Sequence, residues 1–324
     1  MTGQPAATGQ PAGPLPAFAV VIVNFGSSAL LREHAATIEL PAAGGIVVVD
    51  CFSSSAEQSR VRELADEHGW TAVLLDENAG FGGGTNAGVA RAAAMGASVI
   101  VALNPDAWID EASLTALVRA VQRDPMLLAS PTIVGPEGEP WFAGADLYLD
   151  DGVVRGARAR HRFPAARRRE WATGACFAIS LDLWRRSGGF DEEYFLYWED
   201  IDFSHRVLDR GGRWVLVDAT VVHDAGGTQS DVASGRAKSE TYYYYNIRNG
   251  LLYAAKHLDD EQVRRWLRAA PRVGFGVLLR GGRRQLVVSL RPWKAYLRAL
   301  RDGRRIIRER RAPLSAQPSR GRAR

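Results

Sequence analysis

Four continuous apolar runs of strand length, separated by segments with helical spacing, limit the fold of this chain more than any other feature. Segments such as SAEQSRVRELADEHG repeat apolar residues every three or four positions, as an amphipathic helix does. Runs without polar alternation indicate strands buried on both faces, so the pattern predicts an α/β fold with a mostly parallel sheet flanked by helices. Ligands of such folds bind beyond the carboxyl ends of the strands. The four runs are AFAVVIVNF, GGIVVVD, TAVLLD and SVIVALNPD.

Composition excludes several kinds of protein. Two cysteines among 324 residues are too few for a disulfide framework and suit a reducing compartment. Residues 1–16 lack the basic and apolar segments of a secretion signal, and their Pro, Gly, Ala and Gln content predicts a disordered leader. Because no run of 18 apolar residues occurs, we expect no membrane-spanning helix and a cytoplasmic location.

Charge divides the chain into an acidic body and a basic C-terminal extension. Residues 251–324 hold 20 Lys and Arg against 5 Asp and Glu, a balance of +15. The whole chain has 41 basic and 36 acidic residues, which leaves 21 and 31 for residues 1–250, a balance of −10. Apolar residues spaced among the arginines predict amphipathic helices over 251–311, followed by disorder over 312–324. Such helices either pack on the body or bind an anionic membrane surface.

A glycine-dense stretch, ENAGFGGGTNAG at 77–88, follows the third strand run and is expected to be a loop. Glycine allows the backbone to approach a neighbour closely. Residues 82–87 fit the G-x-G-x-x-A pattern of dinucleotide-binding loops, so an NAD-dependent oxidoreductase is one alternative. That pattern belongs to the first strand–helix turn, however, where this chain has NFGSSALL.

Polar residues stand at the ends of several predicted strands. Asp50 ends the second strand, Asn104 and Asp106 follow the fourth, and His223 closes WVLVDATVVH. Each has an ordinary structural explanation, such as a helix cap for Asp50 or an Asn-Pro-Asp turn for Asp106. Asp106 and His223 could instead supply an oxygen ligand and a nitrogen ligand to a divalent cation such as Mg²⁺ or Mn²⁺.

A cluster of acids with aromatic neighbours lies in GGFDEEYFLYWEDIDFSHR, where Glu199, Asp200 and Asp202 follow Trp198. Acids in the first turn of a helix interact favourably with the helix dipole, which is the simplest explanation. Crowded acids beside aromatic residues also suit a half-enclosed pocket in which one carboxylate acts as a general base.

The basic segment 155–169 is interpreted as a disordered excursion or as a contact for an anionic acceptor.

Together these motifs resemble the family 2 inverting glycosyltransferases of the GT-A fold, most closely their bacterial rhamnosyltransferase branch. The resemblance covers about residues 17–250 and implies a nucleotide-binding half at 17–106 and an acceptor-binding half at 107–250. The basic helical extension at 251–311 lies outside it. The matching segments, in order, are VVIVNF, VVVDCFSSS, ENAGFGGGTNAG, LNPD, WATGACFAIS, GGFDEEYFLYWEDIDFSHR, VVHDAGGTQS and YYYYNIRNG.

The resemblance implies a role for each matched residue. Asp106 and His223 would bind Mg²⁺ or Mn²⁺ at the donor diphosphate, and Asp200 would be the general base with Glu199 beside it. The glycine-dense segment would form the close-approach wall of the donor pocket. The acceptor side would be lined by Trp198, Gly174 and Ala175. The nucleotide-sugar side would be formed by Asp50, Asn78, Gly80, Phe81, Asn86, Asn104 and Asp106.

Three positions depart from the family pattern. Cys51 stands where Asn usually follows the first Asp, and Ser55 replaces the last acid of that turn. Asn104 replaces the first carboxylate of the metal motif, so one protein carboxylate would remain on the cation. The resemblance therefore implies a metal held largely by the donor diphosphate and His223.

The implied reaction moves a sugar from a nucleotide diphosphate donor to an acceptor hydroxyl with inversion. The branch resemblance favours L-rhamnose from dTDP-L-rhamnose, with UDP-linked hexoses as the main competitors. A saccharide or lipid-linked saccharide would be the acceptor, in cell-envelope polysaccharide or glycolipid synthesis at the inner face of the membrane. The alternative is a non-catalytic nucleotide-sugar or carbohydrate binding protein on the same fold. No nucleic acid partner is expected, and the sequence leaves the oligomeric state open.

Overall fold

The computed structural model describes residues 13–224 and 238–311. The expected disorder over 312–324, most of the expected leader and the end of the VVHDAGGTQS motif lie outside these ranges.

The first half of the chain forms the parallel part of the central sheet. Its strands run in the order β3-β2-β1-β4, with every neighbouring pair parallel. All seven residues of β1 are buried, and alternate ones face two separate apolar cores: Val20 and Ile22 face one, and Val21 and Val23 the other. This is the two-sided burial that the apolar runs predict. The elements are β1 Phe18–Asn24, α1 Ser28–Glu33, β2 Gly44–Asp50, α2 Ser55–His68, β3 Thr71–Leu74, α3 Gly80–Ala94 and β4 Val99–Leu103.

The second half extends the same sheet with strands of mixed direction. The order continues β4-β11-β6-β12-β5, where β11 is antiparallel to both of its neighbours. A small antiparallel sheet, β10-β8-β9, is separate from it. The elements are β5 Ala107–Ile109, α4 Glu111–Arg123, β6 Leu127–Val134, β7 Pro140–Phe142, β8 Ala145–Tyr148, β9 Val153–Gly156, β10 Arg168–Trp171, β11 Cys176–Ser180, α5 Leu181–Ser187, α6 Glu199–Asp209 and β12 Arg213–His223. The α/β prediction is confirmed, and the predicted halves share one sheet.

Local sequence signals set the ends of many helices. The Ser54 and Asp110 side chains accept hydrogen bonds from the backbone at the starts of α2 and α4. Gly69 and Gly188 end α2 and α5 in the left-handed conformation. These are the caps that side-chain chemistry and glycine geometry favour.

The C-terminal extension is helical and packs on the body. Its elements are α7 Glu240–His257, α8 Asp260–Leu279, α9 Arg283–Val288 and α10 Arg291–Arg311. Apolar side chains of α7, α8 and α10 share one core with Tyr194, Trp198 and Ile201. The predicted boundary between 250 and 251 falls inside α7, and the domain division itself stays a prediction. In the described ranges no helix has both the length and the apolar character needed to cross a membrane.

Most of the glycine-dense stretch is helical, so the expected loop at 77–88 is wrong from Gly80 onward. A Cβ on Gly84 would lie 2.7 Å from both the Cys51 sulfur and a Val23 methyl group. A Cβ on Gly88 would collide with Val21 in β1 and come within 2.9 Å of Val49. These glycines therefore let α3 pack tightly on β1 and β2, and the space that they leave is filled by protein.

The basic segment 155–169 is ordered by carboxylates of the same chain, so the disordered-excursion interpretation is wrong. It contains the ends of β9 and β10 and a short 3₁₀ turn. Five of its arginines form ion pairs, among them Arg160 with Asp146 at 2.7 Å, Arg167 with Asp150 at 3.0 Å, and Arg169 with Asp209 at 2.6 Å.

Candidate active site

Asp50 ends β2 in a fully buried position. One carboxylate oxygen accepts a hydrogen bond from the Asn24 side chain at 2.7 Å, and the other accepts one from the Phe52 backbone at 3.1 Å. Burial raises the pKa of Asp50, while these two hydrogen bonds favour the charged form. The carboxylate thus joins the ends of β1 and β2, and its contact with a donor base stays a prediction.

The polar residues of the α3 segment bind other parts of the protein. The Asn78 side chain accepts from the Gly80 backbone at 2.9 Å, which fixes the turn before the helix. Asn86 exchanges two 2.9 Å hydrogen bonds with the Phe190 backbone and donates to Glu192 at 2.9 Å. The Phe81 backbone donates to the Phe195 carbonyl at 3.0 Å. In this structure, Asn78 and Asn86 hold α3 in place, and their predicted donor contacts remain to be tested.

Asp106 and His223 come together because β12 pairs with β5, which places His223 opposite Ala107. His223 Nε2 lies 3.1 Å from Asp106 Oδ1 and 3.4 Å from the Asn104 side-chain nitrogen. Both Asp106 and His223 are buried. The half-exposed ring of Trp141 lies 4.6 Å from the His223 ring, centroid to centroid. No sequence motif points to Trp141, which precedes every matched motif of the acceptor half.

The spacing of Asp106 and His223 fits a small divalent cation. Adjacent ligands of an octahedral Mg²⁺ at about 2.1 Å are roughly 3.0 Å apart, close to the 3.1 Å that separates the two atoms here. Within the described ranges no group of three or more His, Cys, Asp or Glu has metal-binding geometry. A cation bound here would therefore take its other ligands from Asn104, water and donor phosphates, as Mg²⁺ commonly does.

Asp200 and Glu199 occupy the first turn of α6 and differ in their hydrogen bonds. The two Asp200 oxygens accept from the Ile201 backbone at 2.8 Å and the Gly174 backbone at 3.1 Å. Glu199 is buried, and its Oε2 has no partner among the described residues. Burial raises the pKa of Asp200 to about 6, while burial and the Asp200 charge raise that of Glu199 well above its ordinary value. The pKa of Asp200 still lies below neutral pH, so Asp200 is ionised there, whereas burial and the Asp200 charge favour the protonated form of Glu199.

The segment Gly174–Ala175 connects the two polar centres. Gly174 donates its backbone N–H to Asp200, and the Ala175 carbonyl accepts from the Asn104 backbone at 2.9 Å. A Cβ on Gly174 would lie 3.0 Å from the Phe81 ring. The structure therefore brings Asp200, Asn104 and the Asp106–His223 pair to one edge of the sheet.

The backbone before Asp200 is strained. Phe195, Tyr197 and Trp198 have φ values of +60°, +64° and +74°, which are uncommon for bulky residues. Asn249 of α7 is fully buried and donates to the carbonyls of Tyr194, Leu196 and Tyr197 at 2.8–2.9 Å. Asn249 belongs to the matched motif YYYYNIRNG, but no sequence signal indicates this role.

A pocket of about 380 Å³ opens beside Asp200. One side is formed by residues 197–201, around the candidate base Asp200, and by the small sheet, and the other side is formed by α8 and the residue that follows it. The basic residues of α8 were not predicted to reach the site, because no motif match extends beyond residue 250. The side chains that define the pocket are Trp171, Tyr197, Trp198, Glu199, Asp200, Arg272, Val273, Val277 and Arg280.

Known proteins similar to this chain are glycosyltransferases, although no family model matches it. It is 27% identical over 261 residues to an N-acetylglucosaminyl-diphospho-decaprenol L-rhamnosyltransferase of Mycobacterium tuberculosis, covering 71% of this chain and 84% of that protein. It is 25% identical over 242 residues to a hexosyltransferase of low-salt glycan biosynthesis from Haloferax volcanii, covering 72% of this chain and 74% of the relative. A mannosyltransferase of Pyrobaculum calidifontis, solved with GDP-Man and Mn²⁺, matches with a TM-score of 0.52 at 16% identity, over 94% of this chain and 88% of that one.

The mannosyltransferase structure supports the fold, and the two sequence relatives support the class of enzyme. The oxidoreductase alternative gains no support, since the glycine pattern follows β3 and not β1. The chain is therefore a glycosyltransferase with the GT-A fold, as the order of its sequence motifs predicts.

Proposed function

We propose that the protein transfers a sugar from a nucleotide diphosphate donor to an acceptor hydroxyl with inversion, with Asp200 as the general base. One observation carries this proposal: an ionised carboxylate and a cation-sized Asp–His pair lie at opposite ends of the Gly174–Ala175 segment. That arrangement supplies a base for the nucleophile and a site for the leaving group within one region.

The donor end would be served by Asp106, His223 and the Asn104 amide, which would hold Mg²⁺ or Mn²⁺. A bound cation would neutralise the negative charge of the departing diphosphate. The burial of Asp106 and His223 favours cation binding, because the attraction between opposite charges is stronger where water is excluded.

The acceptor end depends on Asp200. With a pKa of about 6 it remains ionised at neutral pH and is a stronger base than an ordinary carboxylate. Backbone donors hold both of its oxygens and so fix its orientation. Proton removal by such a group contributes about 10²–10⁴-fold to a rate. Attack on the face opposite the leaving group inverts the anomeric carbon without a covalent enzyme intermediate.

We propose L-rhamnose from dTDP-L-rhamnose as the donor and a saccharide on a lipid diphosphate as the acceptor, in synthesis of a cell-envelope glycan. The rhamnosyltransferase relative supports L-rhamnose as the sugar and a lipid-linked saccharide as the acceptor, since its name specifies an L-rhamnosyl group and an N-acetylglucosaminyl-diphospho-decaprenol acceptor. UDP-linked hexoses are the next donors to examine.

Attachment to an anionic membrane surface is a further part of the proposal. Four aliphatic side chains around α9 and α10 are largely exposed: Val287 at 86%, Val288 at 71%, Leu290 at 73% and Leu297 at 63%. Exposed arginines interrupt this apolar patch, among them Arg283, Arg284 and Arg291. Apolar insertion combined with basic charge is how peripheral helices bind anionic lipids.

A donor screen tests the proposal against the binding-protein alternative. The protein would be incubated with dTDP-, UDP- and GDP-sugars and Mg²⁺ or Mn²⁺, and release of the nucleoside diphosphate would be measured with and without saccharide acceptors. We expect release to depend on the cation and to increase with an acceptor. Tight binding of nucleotide sugars without turnover of any of them would favour the non-catalytic alternative.

A further inference from the structure

A small apolar crevice of about 30 Å³ between α7 and α8 adjoins the pocket beside Asp200. Trp198, Gly152 and Val277 line both spaces, and the pocket and crevice together are called the cleft. The cleft therefore has a polar end at the catalytic carboxylates and an apolar end beneath α8. The crevice is lined further by Gly250, Leu251, Trp266, Ala270 and Gly274.

Arg272 of α8 and Arg280, which directly follows α8, line the polar end without a carboxylate partner among the described residues. Arg272 and Arg280 are both exposed, and neither forms an ion pair among the described residues. Arg280 donates one hydrogen bond to the Tyr242 hydroxyl at 3.4 Å. They are eight residues apart, so their backbones lie about 12 Å from each other along the helix axis. The arginines of segment 155–169 differ in this respect, since carboxylates of the chain neutralise several of them.

The remaining charges of the cleft leave the α8 side positive. Burial and the neighbouring Asp200 charge favour the protonated form of Glu199, and Asp200 lies on the side of the pocket opposite α8. Asp151, at the edge of the crevice, is paired with Arg155 at 2.7 Å. An anionic group that enters the cleft is thus attracted to α8 and repelled from Asp200.

We propose that this cleft is the acceptor site and that Arg272 and Arg280 bind a phosphate or diphosphate group of the acceptor. Guanidinium groups form paired, charge-assisted hydrogen bonds with phosphate oxygens. The apolar side chains of the 380 Å³ pocket, Trp171, Val273 and Val277, would contact a hydrocarbon chain attached to that group. This assignment rests on the proposed function, because it assumes that the acceptor hydroxyl reaches Asp200.

Calorimetric titration with geranyl diphosphate, a small soluble lipid diphosphate, tests the proposal on the full chain. EDTA removes divalent cations, so the Asp106–His223 site does not contribute, and the absence of vesicles separates pocket binding from membrane attachment. We expect Arg272→Ala and Arg280→Ala each to weaken binding about tenfold or more. Arg264→Ala is the matched control, since it removes an exposed, unpaired arginine from the same helix outside the cleft. Arg272→Lys keeps the charge and should lose part of the affinity.

Two results would overturn the inference: geranyl diphosphate binding no tighter than uncharged geraniol, or equal losses in Arg264→Ala and Arg272→Ala. The donor screen separates this inference from the proposed function. Arginine-dependent binding without sugar transfer would contradict only the proposed function. Sugar transfer to a lipid diphosphate acceptor whose KM is unchanged by Arg272→Ala would contradict only the assignment of the cleft.

Discussion

Asn249 holds the strained backbone that positions Asp200, so its removal should reduce catalysis more than binding. Asn249→Ala deletes the amide that bonds the carbonyls of Tyr194, Leu196 and Tyr197. Because an amide has two hydrogens, we count two lost bonds, and buried groups left without partners cost about 1–3 kcal/mol each. The three left-handed residues store about 1–3 kcal/mol each. The hydrogen-bond energy lost, about 2–6 kcal/mol, is comparable with the energy stored in the strained backbone. Residues 195–198 should therefore relax and displace Asp200.

The assay compares kcat for sugar transfer with the Kd for nucleotide, at a temperature where each variant is folded by circular dichroism. We expect kcat of Asn249→Ala to fall at least tenfold while the nucleotide Kd changes less than about twofold. Leu117→Ala is the control, because it truncates a fully buried residue of α4 in a different core and costs about 2–5 kcal/mol. If Asn249→Ala stays folded with normal kcat, or if both variants lose activity equally, the positioning argument fails.

Four further predictions follow from the same geometry. Since Asp200 must be ionised to act and has a pKa of about 6, kcat/KM should fall about tenfold from pH 7 to pH 5, a decline that Asp200→Asn should lack. Asp106→Ala and His223→Ala should each abolish the gain in dTDP or UDP affinity that Mn²⁺ produces, measured by calorimetry; an unchanged gain would exclude this pair as ligands. Gly88→Ala should lower the free energy of unfolding in urea by about 1–3 kcal/mol through overpacking, whereas Gly276→Ala, with open space around it, should be neutral or stabilising. Replacing Val287 and Val288 with Asp should reduce co-sedimentation with vesicles containing phosphatidylglycerol; equal binding by both proteins would rule out the apolar patch as the contact.

The sequence predicted those parts of the structure that depend on local pattern. Continuous Val and Ile runs identified β1 to β4, because burial on both faces removes polar alternation. Asp106 and His223 were identified by their positions at the ends of predicted strands, and the structure places His223 Nε2 3.1 Å from Asp106 Oδ1. Their pairing depends on a contact between β5 and β12 that no local pattern encodes.

The remaining features depend on contacts between distant segments. A run of glycines shows that something approaches closely, but not whether it is a ligand or, as around Gly84 and Gly88, the valines of the sheet. Arginines look alike in sequence whether a carboxylate faces them, as for Arg160, or not, as for Arg272. Left-handed backbone at Trp198 has no sequence signal, since the residue itself disfavours it.

The most direct measurement of the central claim is the rate and stereochemistry of transfer by the wild-type protein and Asp200→Asn. The donor would be the nucleotide sugar that the screen selects, and NMR of the product would give its anomeric configuration. The account predicts an inverted product and a loss of about 10²-fold or more in kcat for Asp200→Asn, with nucleotide affinity nearly unchanged. A product of retained configuration, or an unaltered rate in Asp200→Asn, would contradict it.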